Sequence, residues 1–240
     1  MKLSVITVCY NCKNEIKDTL SSVFEQVDKD FEYIIVDGKS SDGTMGVVKE
    51  YYNKIMDMVI ISEEDTGIYD AMNKGARAAR GEYIYFLNAG DRFYDKHVIS
   101  NMKKYIIDKF DIIYGDIIAD GRIISSKSKI RLYELIYFEK MICHQAMFVK
   151  RNLLLTTPFD IKYKICADRD WLIKVLMQNK TYYYVRDFIV AIYDTTGISS
   201  VSPFFYEESL ELAKKYGRNY SVWFIKFKRL MGRVVRFFHY

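Results

Sequence analysis

Carboxylates recur next to glycines in this sequence, each time just after a short apolar run. The run Gly81-Glu-Tyr-Ile-Tyr-Phe-Leu-Asn-Ala-Gly-Asp91 breaks at Asn88-Ala89-Gly90-Asp91. It reads as a buried strand delivering a carboxylate to its carboxyl end, where open α/β sheets place their ligands. Asp37 ends a second such run and Asp65 follows a third. At a strand end the carboxylate of Asp37 could accept hydrogen bonds from a base or ribose. Asn, Asp and Gly are also ordinary turn residues, so each loop taken alone has a plain structural reading. What favours chemistry is that three acidic loops would converge on one rim.

Two further groups could act there. Asp168-Arg169-Asp170 sets two carboxylates around a guanidinium that would keep them ionised at a pocket wall, although Asp168 would equally serve as a helix cap. His144 stands within an apolar run, where a histidine is more often a hydrogen-bonded core residue than a ligand.

The elements that must position these residues alternate. Lys2 to Cys9 reads as a strand, and Ile16, Leu20, Val23, Phe24 and Val27 recur at helical spacing. Phe31 to Val36 is a second strand and Asp42 or Thr44 caps the helix after it. Met58 to Ser62 is a third strand, followed by a helix from Ile68 in which Ala71, Gly75 and Ala78-Ala79 permit close packing on a sheet. Three strand-helix units before Asp91 predict a parallel, right-handed, Rossmann-like α/β sheet flanked by helices. Beyond it, His97 to Asp108 reads as a helix, Asp111 to Ile118 as a strand, and Ala119-Asp120-Gly121-Arg122 as a hairpin that makes the sheet mixed. A helix from Trp171 to Met177, a strand pair over Thr181 to Asp194 and a linker over Thr195 to Pro203 complete residues 1–200.

With 240 residues, half of them hydrophobic, the chain can bury one substantial core plus an appendage. The loop Tyr10 to Glu15 lacks the glycine fingerprint of a dinucleotide site, which disfavours a classical NAD fold. No signal sequence and no spanning stretch is apparent, so a cytoplasmic location is expected. Cys9, Cys12, Cys143 and Cys166 lack paired metal-site spacing and read as reduced structural thiols.

The net charge of +5 gathers largely at the end of the chain. Over Ser221 to Tyr240, helical spacing puts Trp223, Phe227, Leu230, Val234 and Phe237 on one face, bordered by Lys226, Arg229, Arg233 and Arg236. Residues 201–240 would then be C-terminal helices, of which this stretch lies on an anionic membrane surface or docks on the domain with its cations in water. A nucleic-acid face is disfavoured, because the aromatics and cations do not interleave.

In these motifs the sequence resembles the inverting glycosyltransferases of family 2, which have the GT-A fold. The resemblance rests on Ser4-Val-Ile-Thr-Val-Cys-Tyr-Asn11, Val36 to Thr44, Glu64 to Gly75, Gly81-Glu82-Tyr83 with its strand, and Ala167 to Asp170. Within the family it looks most like the bacterial colanic acid or capsular polysaccharide type.

The resemblance implies a nucleotide-diphosphate sugar donor, a glycan or lipid-linked acceptor, and a divalent cation, Mg²⁺ or Mn²⁺. Donor contacts would come from Thr7, Cys9, Tyr10, Asn11, Glu15, Asp37, Ser40, Asp65, Asn73, Lys74, Asn88, Ala89 and Gly90. Asp91 would ligate the cation, with His144 as a second contact to metal or diphosphate. Asp168 would be the catalytic base, with Asp170 beside it. Asn88 and Gly90 stand where relatives often have carboxylates, and Ala167 replaces the glutamate of the usual Glu-Asp pair. Two outcomes are therefore expected: a transferase at the cytoplasmic face of a bacterial inner membrane, or a sugar-nucleotide-binding scaffold subunit that has lost catalysis. A nucleotidyltransferase shares the alternation but would need a glycine-rich phosphate loop after the first strand.

Overall fold

The computed structural model describes residues 2–55, 57–106, 109–138, 141–196, 204–217 and 225–226. Four strands, β1 (Leu3–Cys9), β2 (Glu32–Asp37), β3 (Met58–Ser62) and β4 (Tyr83–Phe86), lie parallel in the order β3-β2-β1-β4. The helices between them are α1 (Glu15–Phe24), α2 (Thr44–Tyr52) and α3 (Ile68–Ala78). β1, β2 and β4 are buried along their whole length. That is why they read as continuous apolar runs instead of alternating ones. Because the four strands are parallel, their carboxyl ends form one rim. Asp37 lies opposite Cys9 on one side and Ser62 on the other.

Glycine governs how closely α3 approaches the sheet. A Cβ on Gly75 would sit 2.6 Å from Ile6 Cγ2 and 3.2 Å from Val36 Cγ2, so any side chain there forces the helix off the strands.

The second half closes the sheet in mixed order, β4-β8-β6-β9-β5, with β5 (Arg92–Phe93), β6 (Ile112–Ala119), β7 (Arg122–Ile124), β8 (Met147–Lys150) and β9 (Tyr182–Tyr193). β8 runs antiparallel to both β4 and β6, and β9 runs parallel to β6. The expected hairpin is present: Asp120 and Gly121 take positive φ (49° and 70°) and β7 folds back on β6. Two expectations change. Thr181 to Asp194 yields one 12-residue strand, not a pair, its register against β6 shifted around Asp187, whose φ is 54°. Among the described residues of the stretch from His97, only the short α4 (Val98–Met102) is α-helical.

The remaining helices are α5 (Leu132–Tyr137), α6 (Arg151–Thr156), α7 (Ala167–Met177) and α8 (Phe204–Tyr216). α7 starts four residues earlier than periodicity suggested. Phe159 locks it to the sheet half, packing on Tyr69, Phe86 and Trp171 with ring centroids 5.5, 5.9 and 5.8 Å away. The Asn73 side-chain amide pairs with both backbone groups of Phe159, donating to its carbonyl at 2.9 Å and accepting from its N–H at 3.0 Å. The basic amphipathic stretch of the tail lies largely outside the described residues, and among those no helix is long and apolar enough to cross a membrane.

Candidate active site

At the end of β4 the chain turns through Asn88-Ala89-Gly90-Asp91, closed by a bond from the Asp91 N–H to the Asn88 carbonyl (3.0 Å). Thr19 of α1 pins the turn: its hydroxyl donates to the Asp91 carbonyl (2.7 Å) and accepts from the Gly90 N–H (3.0 Å). Gly90 has φ +98°, and a Cβ there would lie 2.6 Å from Asp194 Oδ2. Only glycine combines that backbone conformation with so close a neighbour.

Behind the turn, Tyr85 of β4 sends its hydroxyl to the Gln145 carbonyl (2.7 Å) and stacks on Phe148 at 4.4 Å. This fixes a single 3-10 turn, His144–Ala146, against the site. Gln145 Nε2 then donates to Asp91 Oδ2 (2.9 Å), while Asp91 Oδ1 accepts from the Asp194 N–H (2.9 Å). Asp91 is 3% exposed. Burial pushes its carboxyl up to about 6, outweighing the two donated hydrogen bonds and the neighbouring His144.

His144 connects this turn to α7. Its Nε2 lies 3.0 Å from Asn88 Nδ2 and its Nδ1 lies 3.2 Å from Asp168 Oδ2. With the Asn88 amide donating, Nε2 is the acceptor and Nδ1 carries the proton to the carboxylate. Asp168 is in the first turn of α7 and accepts from the Arg169 N–H through Oδ1 (2.7 Å), so it is not the cap of that helix. The cap position belongs to Cys166.

Asp170 takes a different part. Two residues on along a helix, it points to the opposite face from Asp168. It has no exposed surface, and it pairs with Lys174 (2.7 Å), Lys215 (2.8 Å) and Tyr216 (2.7 Å). Burial would raise its carboxyl, but these partners prevail and hold it below the ordinary carboxylate range. The expected catalytic pair therefore resolves into Asp168 at the site and Asp170 as an internal anchor.

The other expected donor contacts divide by exposure. Tyr10 (64% exposed), Asn11 and Glu15 are exposed at the rim. Asn11 is in the left-handed region (φ 47°) and interlocks with the next loop: its N–H donates to Ser40 Oγ and its Oδ1 accepts from the Ser41 N–H, both at 2.9 Å. Asp65 approaches Gly38, where a Cβ would collide with its Oδ2 and reach Tyr10 Cδ2 at 3.2 Å. Tyr10, Gly38 and Asp65 thus meet at one place on the rim.

Asp37 faces inward. It is fully buried and accepts from Ser62 Oγ (2.7 Å) and the Ser40 N–H (3.1 Å), and it organises the loop. Cys9 lies against it at 3.9 Å, its thiol pushed up by the hydrogen bond to Cys12 and by burial. Thr7 is also fully buried, its hydroxyl donating to the Leu87 carbonyl (2.6 Å). Asn73 is committed to Phe159, and Lys74 to Glu63 (3.1 Å), Asp70 and the Glu64 carbonyl. Thr7, Asn73 and Lys74 therefore have their polar groups engaged within the protein in this arrangement and support the rim.

Among the described residues no group of three His, Cys, Asp or Glu side chains is placed to hold a metal. Each Asp91 oxygen accepts one internal hydrogen bond, which leaves lone pairs, while His144 Nδ1 faces the Asp168 carboxylate and its Nε2 faces the Asn88 amide. Asn88 Oδ1 is buried without a partner. The expected pairing of Asp91 with His144 as joint ligands is thus not assembled in this arrangement, and Asp91 stands as one carboxylate beside which a hard cation would take most of its ligands from a bound diphosphate and water.

Residues 4–175 match the family model for glycosyl transferase family 2. This chain belongs to that family. The glycosyltransferase is 30% identical over 198 residues to the PGL/p-HBAD biosynthesis glycosyltransferase of Mycobacterium bovis, an alignment covering 81% of this chain and 77% of the relative. Among solved structures it resembles S. aureus TarS 1-349 in complex with UDP-GlcNAc (TM-score 0.70, 20% identity). It also resembles the mannosyltransferase PcManGT from Pyrobaculum calidifontis in complex with GDP-Man and Mn²⁺ (TM-score 0.63, 19% identity). Each superposition covers 90% of this chain and 65% of the other. At these identities the structural likeness speaks for the fold, a GT-A-like mixed sheet flanked by helices.

Gln145, Thr19 and Asp194 have central places in the site that the sequence did not reveal. Gln145 had a signal in its position beside His144. Asp194 acts through its backbone N–H on Asp91 and through the close approach of its carboxylate to Gly90, which no local side-chain pattern encodes.

Proposed function

We propose that this glycosyltransferase is an inverting enzyme that moves a sugar from a nucleotide-diphosphate sugar to a glycan or lipid-linked acceptor in bacterial surface glycan synthesis. The observation that carries this reading is the Asn88-His144-Asp168 chain of contacts, which ties a candidate base to the turn at the end of β4. The relative named for PGL/p-HBAD biosynthesis supports a surface glycolipid or glycan product. The UDP-GlcNAc and GDP-Man complexes of the structural neighbours support a nucleotide-sugar donor.

In this reading the donor base lies against Tyr10, Gly38 and Asp65, and the sugar reaches the Asn88–Asp91 turn. Asp168 takes the proton of the acceptor hydroxyl as its oxygen attacks the anomeric carbon from the face opposite the diphosphate. The new glycosidic C–O bond forms as the C–O bond to phosphate breaks, which inverts the anomeric configuration. His144 donates to Asp168 Oδ2 and so fixes the carboxylate's direction. In the same reading, the basic and aromatic sequence after residue 217 would bring the enzyme to the cytoplasmic surface of the membrane, near a lipid-linked acceptor.

A thermal-shift screen of UDP-, GDP- and dTDP-sugars, with and without Mn²⁺, tests the donor assignment, because a ligand of the folded state raises the melting temperature by mass action. A stabilising sugar nucleotide supports the reading; no shift at millimolar concentration for any of them contradicts it.

A further inference from the structure

Asp168 sits between backbone segments that α8 grips on both sides. Ahead of it, the carboxylate of Glu208 accepts three consecutive backbone N–H groups: Lys164 on Oε1 (2.6 Å), and Ile165 (3.0 Å) and Cys166 (2.8 Å) on Oε2. Glu208 is only 8% exposed. α7 has no side-chain cap of its own, and this carboxylate from another helix adds to the negative charge that Asp168 and Asp170 already bring to its N-terminus. Behind Asp168, Arg169 Nη2 donates to the buried Ser209 hydroxyl (2.7 Å), and Asp170 is held by Lys215 and Tyr216. Tyr69 of α3 completes the frame by donating to the Ile165 carbonyl (2.6 Å).

Asp168 alone of the three residues at the start of the Asp-Arg-Asp segment turns to His144. Its neighbours are spent on α8. From this geometry we infer that Glu208 is a positioning residue for the reaction, setting the height and direction of the Asp168 carboxylate through the turn 164–166. The inference rests on the proposed role of Asp168. A shift of about 1 Å in a reacting group can lower turnover on the order of a hundredfold without touching ground-state binding.

The test uses the full chain and the donor identified by its own turnover. In Glu208→Gln one of the two carboxylate oxygens is replaced by an NH₂ that cannot accept, so at least one of the three N–H groups loses its partner. We expect kcat to fall roughly tenfold or more with KM for the donor changed less than about twofold. Tyr216→Phe, which removes one hydroxyl from the buried Asp170, is the gentler second variant and should show the same split with a smaller fall in kcat. As a control, Gly81→Ala, whose Cβ would lie 2.6 Å from the Ser4 backbone N at the amino ends of β1 and β4, strains the fold at the edge of the sheet opposite the rim and should lower the melting temperature without that kcat-specific loss. Unchanged kcat in both α8 variants would overturn the inference, as would a fall in kcat no larger than the control shows at equal loss of stability. If wild type turns over and Asp168→Asn also does, the reading of Asp168 has failed instead.

Discussion

His144 Nδ1 lies 3.2 Å from Asp168 Oδ2 although the two residues are 24 positions apart, one on a single 3-10 turn and the other at the start of α7. The contact depends on two buried scaffolds: Tyr85, which holds the 3-10 turn, and the aromatic cluster around Phe159, which holds α7. The site is therefore assembled at the meeting of the parallel and mixed halves of the sheet.

Replacing His144 with alanine removes the donor that orients the base and leaves the Asn88 amide without its ring partner. Turnover should drop by about tenfold to a hundredfold, with donor affinity nearly unchanged. Steady-state kinetics with calorimetric binding of UDP and GDP would check this. A large loss of nucleotide affinity with normal kcat would instead return His144 to the diphosphate.

Asp91 makes a prediction about stability and pH. Its folded-state value of about 6 exceeds the roughly 3.9 of an unfolded aspartate, so the folded protein binds the extra proton between these values. The contribution of this group is fully present below about pH 4 and is lost as pH rises through 6. Relative to wild type, Asp91→Asn should gain stability as pH is raised across that window. Urea unfolding at pH 4.5 and pH 7 measures the difference; an equal gap at both would show that Asp91 is not a buried, proton-holding carboxylate.

Gly75→Ala should destabilise the fold by about 1–3 kcal/mol through overpacking against Ile6 and Val36. Denaturant titration would report it, and a neutral effect would mean that α3 can retreat from the sheet at no cost.

The first half of the fold was legible because β1, β2 and β3 are joined by helices whose apolar spacing is a local feature. The expected cap is an exception: the N-cap of α2 is Gly43, at φ 96°, while Asp42 stands one residue before it and accepts from the Thr44 N–H (2.9 Å). The hairpin at Asp120-Gly121 was legible for the same reason, since positive φ needs particular residues. What sequence could not reveal were partners far along the chain. Asp170 resembled Asp168 in type and spacing until Lys215 and Tyr216, some 45 residues later, claimed it. Asn73 and Thr7 carry polar groups that fit a ligand equally well, and only Phe159 and Leu87 show where those groups go. The fused strand β9 escaped because a bulge at Asp187 mimics a turn.

The account stands most directly on the turnover of Asp168→Asn, measured beside calorimetric binding of the stabilising donor. It predicts a fall in kcat on the order of 10² to 10⁴, the usual contribution of a general base, with donor affinity preserved. Wild-type turnover in that variant would contradict it.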